Sequence, residues 1–212
     1  MSRFTGIPAE PLPDTILTDF RKTYRDKTIA KEDIFYYVYG ILHSPEYKRR
    51  FEADLKKMLP RIPYAQEFWA FSKAGRELAS WHLNYETIEP YPLTEDNSGL
   101  LFLDNEDYRV EKMSFGRRPK VIDKTTIIYN SKITLFGIPL ETYDYVVNGK
   151  SALEWIMESY QFTKDKDSQI AKDPNDWSED PRYILDLVKR IVRVSLESMK
   201  IVTALPALNE RK

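Results

Sequence analysis

Apolar side chains change their spacing twice along this chain, and those two changes constrain the fold more than any other feature. Up to about residue 84 they recur every three or four positions, as one face of a helix requires. Between about residues 87 and 150 they fall into short runs rich in β-branched and aromatic residues, "LLFLD", "YRVEKMSF", "TTIIYN", "ITLFGIP" and "YDYVVNG", broken by turn residues. Such close spacing predicts antiparallel strands. From Ser151 the helical spacing returns. The expected class is therefore α+β: an N-terminal helical lobe, a central antiparallel β-sheet with hairpins, and C-terminal helices packed on it.

Within that frame, Pro8, Pro11 and Pro13 make the opening residues a linker, and Ile16, Phe20 and Tyr24 predict a short helix after it. In "DIFYYVYGILHSPEYKRR", residues 33–50, Asp33 is expected to cap a helix that buries Ile34, Val38, Ile41 and Leu42 and leaves some of Tyr36, Tyr37 and Tyr39 on its rim. Gly40 allows close approach of another helix, and Ser44-Pro45 ends this helix and starts the next, which carries Tyr47, Phe51, Leu55 and Met58 on one side. A third helix is expected over residues 65–84. "TTIIYNSKITLFG" predicts a hairpin turning at Asn130-Ser131, Ser151 and Glu154 form a capping box, and a long final helix is expected from Pro181 behind Ser178. The expected organisation is a linker and short helix over 1–27, a helical lobe over 28–86, a β-rich region over 87–150 and a C-terminal helical region over 151–212, all one module.

The inventory of reactive groups is short. There is no cysteine, so no disulfide, thiolate metal site or cysteine nucleophile, and only His43 and His82 supply imidazole. No Gly-rich phosphate loop, GxSxG elbow or HExxH helix occurs. "DPNDW" at Asp173 superficially suggests the tetrapeptide with which amino-methyltransferases bind a base, but it lacks the second proline. Asp104, Glu106 and Asp107 read as a solvated acidic loop before they read as a metal site, and Asp173, Asp176, Glu179 and Asp180 read as capping residues. No catalytic and no metal-ligating residue is expected. No apolar run is long enough to cross a bilayer and no signal-peptide core opens the chain, so a cytoplasmic location without membrane partners is expected.

The whole-chain charge of -1 conceals segregation. Residues 109–132, "RVEKMSFGRRPKVIDKTTIIYNSK", hold seven cations against two carboxylates, 7 - 2 = +5, while residues 89–107 hold six carboxylates and no cation. Cations on the loops of a small sheet can converge on a duplex, where Arg and Lys neutralise phosphates and Arg or Asn reads base edges. The candidate DNA-binding residues are Lys112, Arg117, Arg118, Lys120, Lys124, Asn130 and Lys132, with Asn148 and Lys150 as weaker additions. The competing reading is a solvated hairpin that balances the acidic flanks.

The order of blocks from "DIFYYVYGILHSPEYKRRFEADLKKMLPRIP" through "FWAFSKAGRELASWHLNYE", "YRVEKMSFG", "TTIIYNSKITLFGIP" and "YDYVVNGKSALEWIMESYQ" to "DPNDWSEDPRYILDLVKRIVRVSLESMKIV" closely resembles the C-terminal specificity region of type ISP restriction-modification enzymes, over about residues 16–205. In those single polypeptides a nuclease, a helicase-like ATPase, an adenine methyltransferase and a target recognition domain follow one another. The resemblance implies a non-catalytic domain that recognises double-stranded DNA and packs on the upstream methyltransferase and helicase-nuclease domains. S-adenosylmethionine, ATP and magnesium would belong to those upstream domains, and this chain would hold no cofactor. The alternatives are a protein-interaction module without DNA affinity and a metal-dependent nuclease built on the cluster at Asp104.

Overall fold

The computed structural model describes residues 12–58, 60–97, 99–100, 102–119 and 121–211. The chain divides into two compact units, the first made of residues 1–80 and 201–212 and the second of residues 81–200. The fold is α+β, as expected.

The first unit contains α1 (Asp14–Tyr24), α2 (Lys31–His43), α3 (Pro45–Arg50), α4 (Glu52–Lys56) and most of α5 (Phe68–Leu83). Its core is aromatic: Phe20, Tyr37, Tyr47, Phe68 and Phe71 pack with Ile29, Ile34 and Ile41. Helix α2 buries Ile34, Tyr37, Gly40 and Ile41, so its inward face is turned from the expected stripe, and Val38 and Leu42 are only partly buried. Tyr37 therefore belongs to the core and not to the rim. Its buried hydroxyl keeps partners, donating to the Pro63 carbonyl and accepting the Ala65 N–H at 2.7 Å, which is what lets a phenol leave water.

The expectation for Gly40 holds, and Gly75 shares its role. A Cβ on Gly40 would lie 2.3 Å from the Phe71 carbonyl oxygen, and one on Gly75 would lie 1.8 Å from that of Tyr36, so backbone packs on backbone where α2 meets α5. Asp33 is not the N-cap; it sits at the third position of α2 and accepts the Ala30 N–H at 2.9 Å. Ser44 does cap α3 by accepting the Tyr47 N–H. The single helix expected after Pro45 is two, broken at Phe51, whose backbone leaves the helical region at φ -109°, ψ 21°; Lys48, Arg49 and Arg50 suit the helix end that precedes it.

The second unit is built on a four-stranded antiparallel sheet of order β1-β4-β3-β2, from β1 (Thr94–Asp96), β2 (Ser114–Arg118), β3 (Val121–Ile128) and β4 (Thr134–Phe136). Two small hairpins follow, β5 (Val146–Val147) with β6 (Lys150–Ser151) and β7 (Thr163–Lys164) with β8 (Ala171–Lys172). Helix α6 (Ala152–Ser159) lies between them in sequence and most of α7 (Tyr183–Thr203) closes the unit. Alternate residues divide the sheet: Ile127 and Leu135 are fully buried with Leu153, Met157, Leu185, Val188 and Val192, while Ile128 and Phe136 on the opposite face stay partly exposed.

The expected capping box at Ser151 and Glu154 is present, with Glu154 N–H donating to Ser151 Oγ and Ser151 N–H donating to Glu154 Oε2. Three expectations change. No strand forms among the described residues of "LLFLD", where Phe102 is 91% exposed. The strand lies earlier, in the acidic stretch, because Glu95 is matched there by Arg182 at 2.7 Å and Lys189 at 2.8 Å. Helix α7 starts at Tyr183, since Arg182 N–H is held by Asp180 Oδ1 in a turn.

Candidate nucleic-acid interface

The β2–β3 hairpin reaches beyond the sheet. Strand β3 pairs with β4 only over residues 126–128, whereas Val121, Ile122 and Asp123 pair with β2 alone. The outer half is thus a two-stranded ribbon, with Arg118 opposite Val121, Arg117 opposite Ile122 and Gly116 opposite Asp123. A register shift between Phe115 and Gly116 marks a bulge at the base of this ribbon, the usual device for bending a strand away from its neighbours. Both Val121 and Ile122 are exposed, at 64% and 62%.

The sequence-predicted cations do not form one open patch. Arg118 Nε donates to Asp123 Oδ2 at 3.1 Å across the ribbon. Thr125 first, through its hydroxyl and N–H, and then Arg118 hold the Asp123 carboxyl below its ordinary pKa. Lys124 leaves the ribbon for α6, where its ammonium meets Glu154 at 3.0 Å and lies 4.7 Å from the centre of the Tyr143 ring. Burial opposes the charge on Glu154, but Ser151 and Lys124 bind the carboxylate and leave its pKa lowered. Lys132 pairs with Asp107, whose pKa falls through that contact and the Asp104 N–H. Arg109, outside the candidate set, bridges Asp173 at 2.7 Å and Asp176 at 3.3 Å. The acidic flanks that the charge pattern separated from the basic segment are its partners in space.

Lys112 and Arg117 have no ion-pair partner among the described residues, and both are exposed. They line a groove of about 810 Å³ between the β2–β3 hairpin and α6, together with Ile122, Lys150 and Gln161. Lys150 is held there by Glu158 at 2.6 Å and lies over the Trp155 ring. Lys120 falls outside the described residues.

The two asparagines serve the backbone. Asn130 turns the β3–β4 hairpin: its Nδ2 donates to the carbonyls of Asp107 at 2.8 Å and Arg109 at 2.9 Å, and its Oδ1 accepts the N–H groups of Lys132 and Ile133, each at 2.8 Å. Those four bonds use the whole capacity of a side-chain amide. Asn148 takes the left-handed conformation, φ 50°, ahead of Gly149 in the β5–β6 turn. Asn175 escaped the sequence reading although it does comparable work. Its amide brackets Val110, accepting from the backbone N–H at 2.8 Å and donating to the carbonyl at 2.9 Å. The Asp-Pro-Asn turn, with Asp173 as cap, was the available signal.

The acidic cluster at Asp104 is likewise a cap. Asp107 N–H donates to Asp104 Oδ1 and Asp104 N–H donates to Asp107 Oδ2, and no group of side chains suited to hold a metal occurs among the described residues. His82 Nε2 lies 2.9 Å from the hydroxyl of Ser198, which is fully buried, and 3.0 Å from that of Tyr145. A serine closed off in this way has no route to a substrate. No helix among the described residues is long and apolar enough to cross a membrane.

A family model described as the Type ISP C-terminal specificity domain matches residues 4–187. The chain belongs to that family. Among solved structures, a nuclease-deletion mutant of the Type ISP restriction-modification enzyme LlaGI, in complex with a DNA substrate mimic, is 40% identical over 88% of this chain, with a TM-score of 0.77. The ATP-dependent Type ISP enzyme LlaBIII bound to DNA is 37% identical over 94%, with a TM-score of 0.81, and DrdV, in a DNA complex, is 32% identical over 92%, with a TM-score of 0.78. This specificity domain spans 17%, 12% and 20% of those chains respectively. No curated protein matches it.

Proposed function

We propose that this specificity domain recognises a particular double-stranded DNA sequence and sets a larger restriction-modification enzyme, with its adenine methyltransferase and ATP-dependent nuclease, on that site. The observation that carries the reading is the extent of the likeness to LlaBIII and DrdV, whose structures are DNA complexes and which match over 94% and 92% of this chain. In this reading the domain turns nothing over, works in the cytoplasm and needs no cofactor of its own; S-adenosylmethionine, ATP and magnesium serve the other domains.

The candidate residues fall into ranks. Lys112 and Arg117 meet DNA first, because no carboxylate has to be displaced. Arg118, Lys124, Lys132 and Lys150 already engage a carboxylate, so loosening that surface pair offsets a small part of any phosphate contact they make. Lys120, outside the described residues, stays a proposed contact on its chemistry alone, and Asn130 and Asn148 shape loops. With most cations engaged, log affinity should fall with log salt less steeply than the slope of roughly -4 to -5 that five phosphate contacts would give. The test is selection from randomised duplexes by the enzyme carrying this domain, followed by sequencing of retained molecules. An enriched motif is expected; retention without any motif refutes sequence recognition.

A further inference from the structure

We propose that Arg117 and Ile122, opposite one another on the β2–β3 ribbon, read adjacent base pairs in the major groove, Arg117 taking a guanine and Ile122 the methyl group of a neighbouring thymine. The proposal rests on the DNA-recognition reading above and assigns residues to it. A two-stranded ribbon is one of the elements that the major groove of B-DNA admits. Because Arg117 and Ile122 are register partners, their side chains share one face. Their Cβ atoms are then about 5 Å apart, more than the rise of about 3.4 Å between stacked base pairs and less than two such steps, so the two side chains can reach neighbouring pairs.

Chemistry separates this face of the ribbon from the other. Arg117 has no ion-pair partner among the described residues, so its planar fork is available to the O6 and N7 acceptors of guanine. On the opposite face Arg118, beside Val121, is held by Asp123. Ile122 is 62% exposed at the outer end of the ribbon, where it adds nothing to the core. A phosphate contact has no use for an exposed β-branched residue between cations, whereas a thymine methyl is an apolar target of that size. Both residues line the groove that Lys112 and Lys150 also border, which puts cations for the backbone beside the two that would read bases.

The test is repeated selection from randomised duplexes with the enzyme as wild type, R117A and I122S, followed by binding measurements on the recovered wild-type site. R117A should lose the preference for guanine at one position, I122S the preference for thymine at the adjacent one, and each should keep the rest of the motif. On the wild-type enzyme, 7-deazaguanine, which lacks one of the two acceptors, should weaken binding about 5-fold or more, and deoxyuridine, which lacks only the methyl group, about 4-fold. This second measurement needs no variant to fold. An unchanged motif in both variants, an equal loss of affinity on every sequence, or indifference to both base analogues overturns the assignment. A wild-type enzyme that recovers no motif overturns the recognition reading itself, and the assignment with it.

Discussion

Replacing Asn130 with alanine should cost stability and leave the recovered DNA motif unchanged. The magnitude follows from its four hydrogen bonds. Two of them, to the Asp107 carbonyl and from the Ile133 N–H, are partly buried; the other two, at Arg109 and Lys132, are exposed. Water replaces the exposed pair at little cost, whereas each partly buried bond is worth about 1 kcal/mol, giving a loss of about 2 kcal/mol. With a urea m-value of about 2 kcal/mol/M, the unfolding midpoint should drop by about 1 M. Asn130→Asp should fare no better, since it keeps the acceptor but presents a carboxylate to the two carbonyls that the amide now serves. Urea unfolding of N130A followed by circular dichroism, beside duplex selection with the same variant, separates the two roles. A variant as stable as wild type but with an altered motif would refute the hairpin-turn assignment and return Asn130 to the base-reading set.

Three further outcomes follow from the packing and the ion pairs. Gly75→Ala should destabilise the first unit by about 2 kcal/mol or more, although the same change in an exposed helix stabilises by about 1 kcal/mol. The added Cβ would sit 1.8 Å from the Tyr36 carbonyl, and thermal denaturation gives the sign. Glu95→Gln should cost about 1.5 kcal/mol in the second unit, because Lys189 would lose its carboxylate while Arg182 keeps Asp186. Burial opposes the charge on Glu95, yet those two partners hold its pKa below the ordinary 4.5. A carboxyl with a lowered folded pKa lends stability above its unfolded pKa and loses it as the pH falls through the folded value, so wild type should weaken below about pH 4.5 and E95Q should show less of that acid limb. R118A should change duplex affinity less than R117A at equal salt, because Asp123 already engages Arg118; a larger effect at Arg118 would show that the ion pair opens on DNA.

The fold was legible wherever local chemistry and burial agreed. The Ser151–Glu154 box, the Asn130 turn and the Gly40 approach are short-range features whose residue types have few other uses. The phase of α2 was misread because a tyrosine counts as polar in a pattern, whereas Tyr37 becomes a core residue once Pro63 and Ala65 satisfy its hydroxyl. Strand β1 was hidden among carboxylates because what neutralises Glu95 comes from Arg182, just ahead of α7, and from Lys189 within it, about ninety residues later. The candidate interface suffered from the same blindness. A window of sequence sums the charges along the chain, but Lys132, Lys124 and Arg109 find Asp107, Glu154 and Asp173 across it. What could be read was the run of cations and the hairpin at Asn130; the β2–β3 ribbon, and which of its cations stays without a partner, are properties of the fold.

The central claim, that this specificity domain decides which DNA sequence its enzyme acts on, is tested most directly by transplantation. The segment of LlaBIII that corresponds to this chain would be replaced by it, and the chimera's methylation sites mapped by sequencing modified DNA. The account predicts a new motif that matches the one selected from randomised duplexes by the enzyme native to this domain. An active chimera that still modifies the LlaBIII site would contradict it.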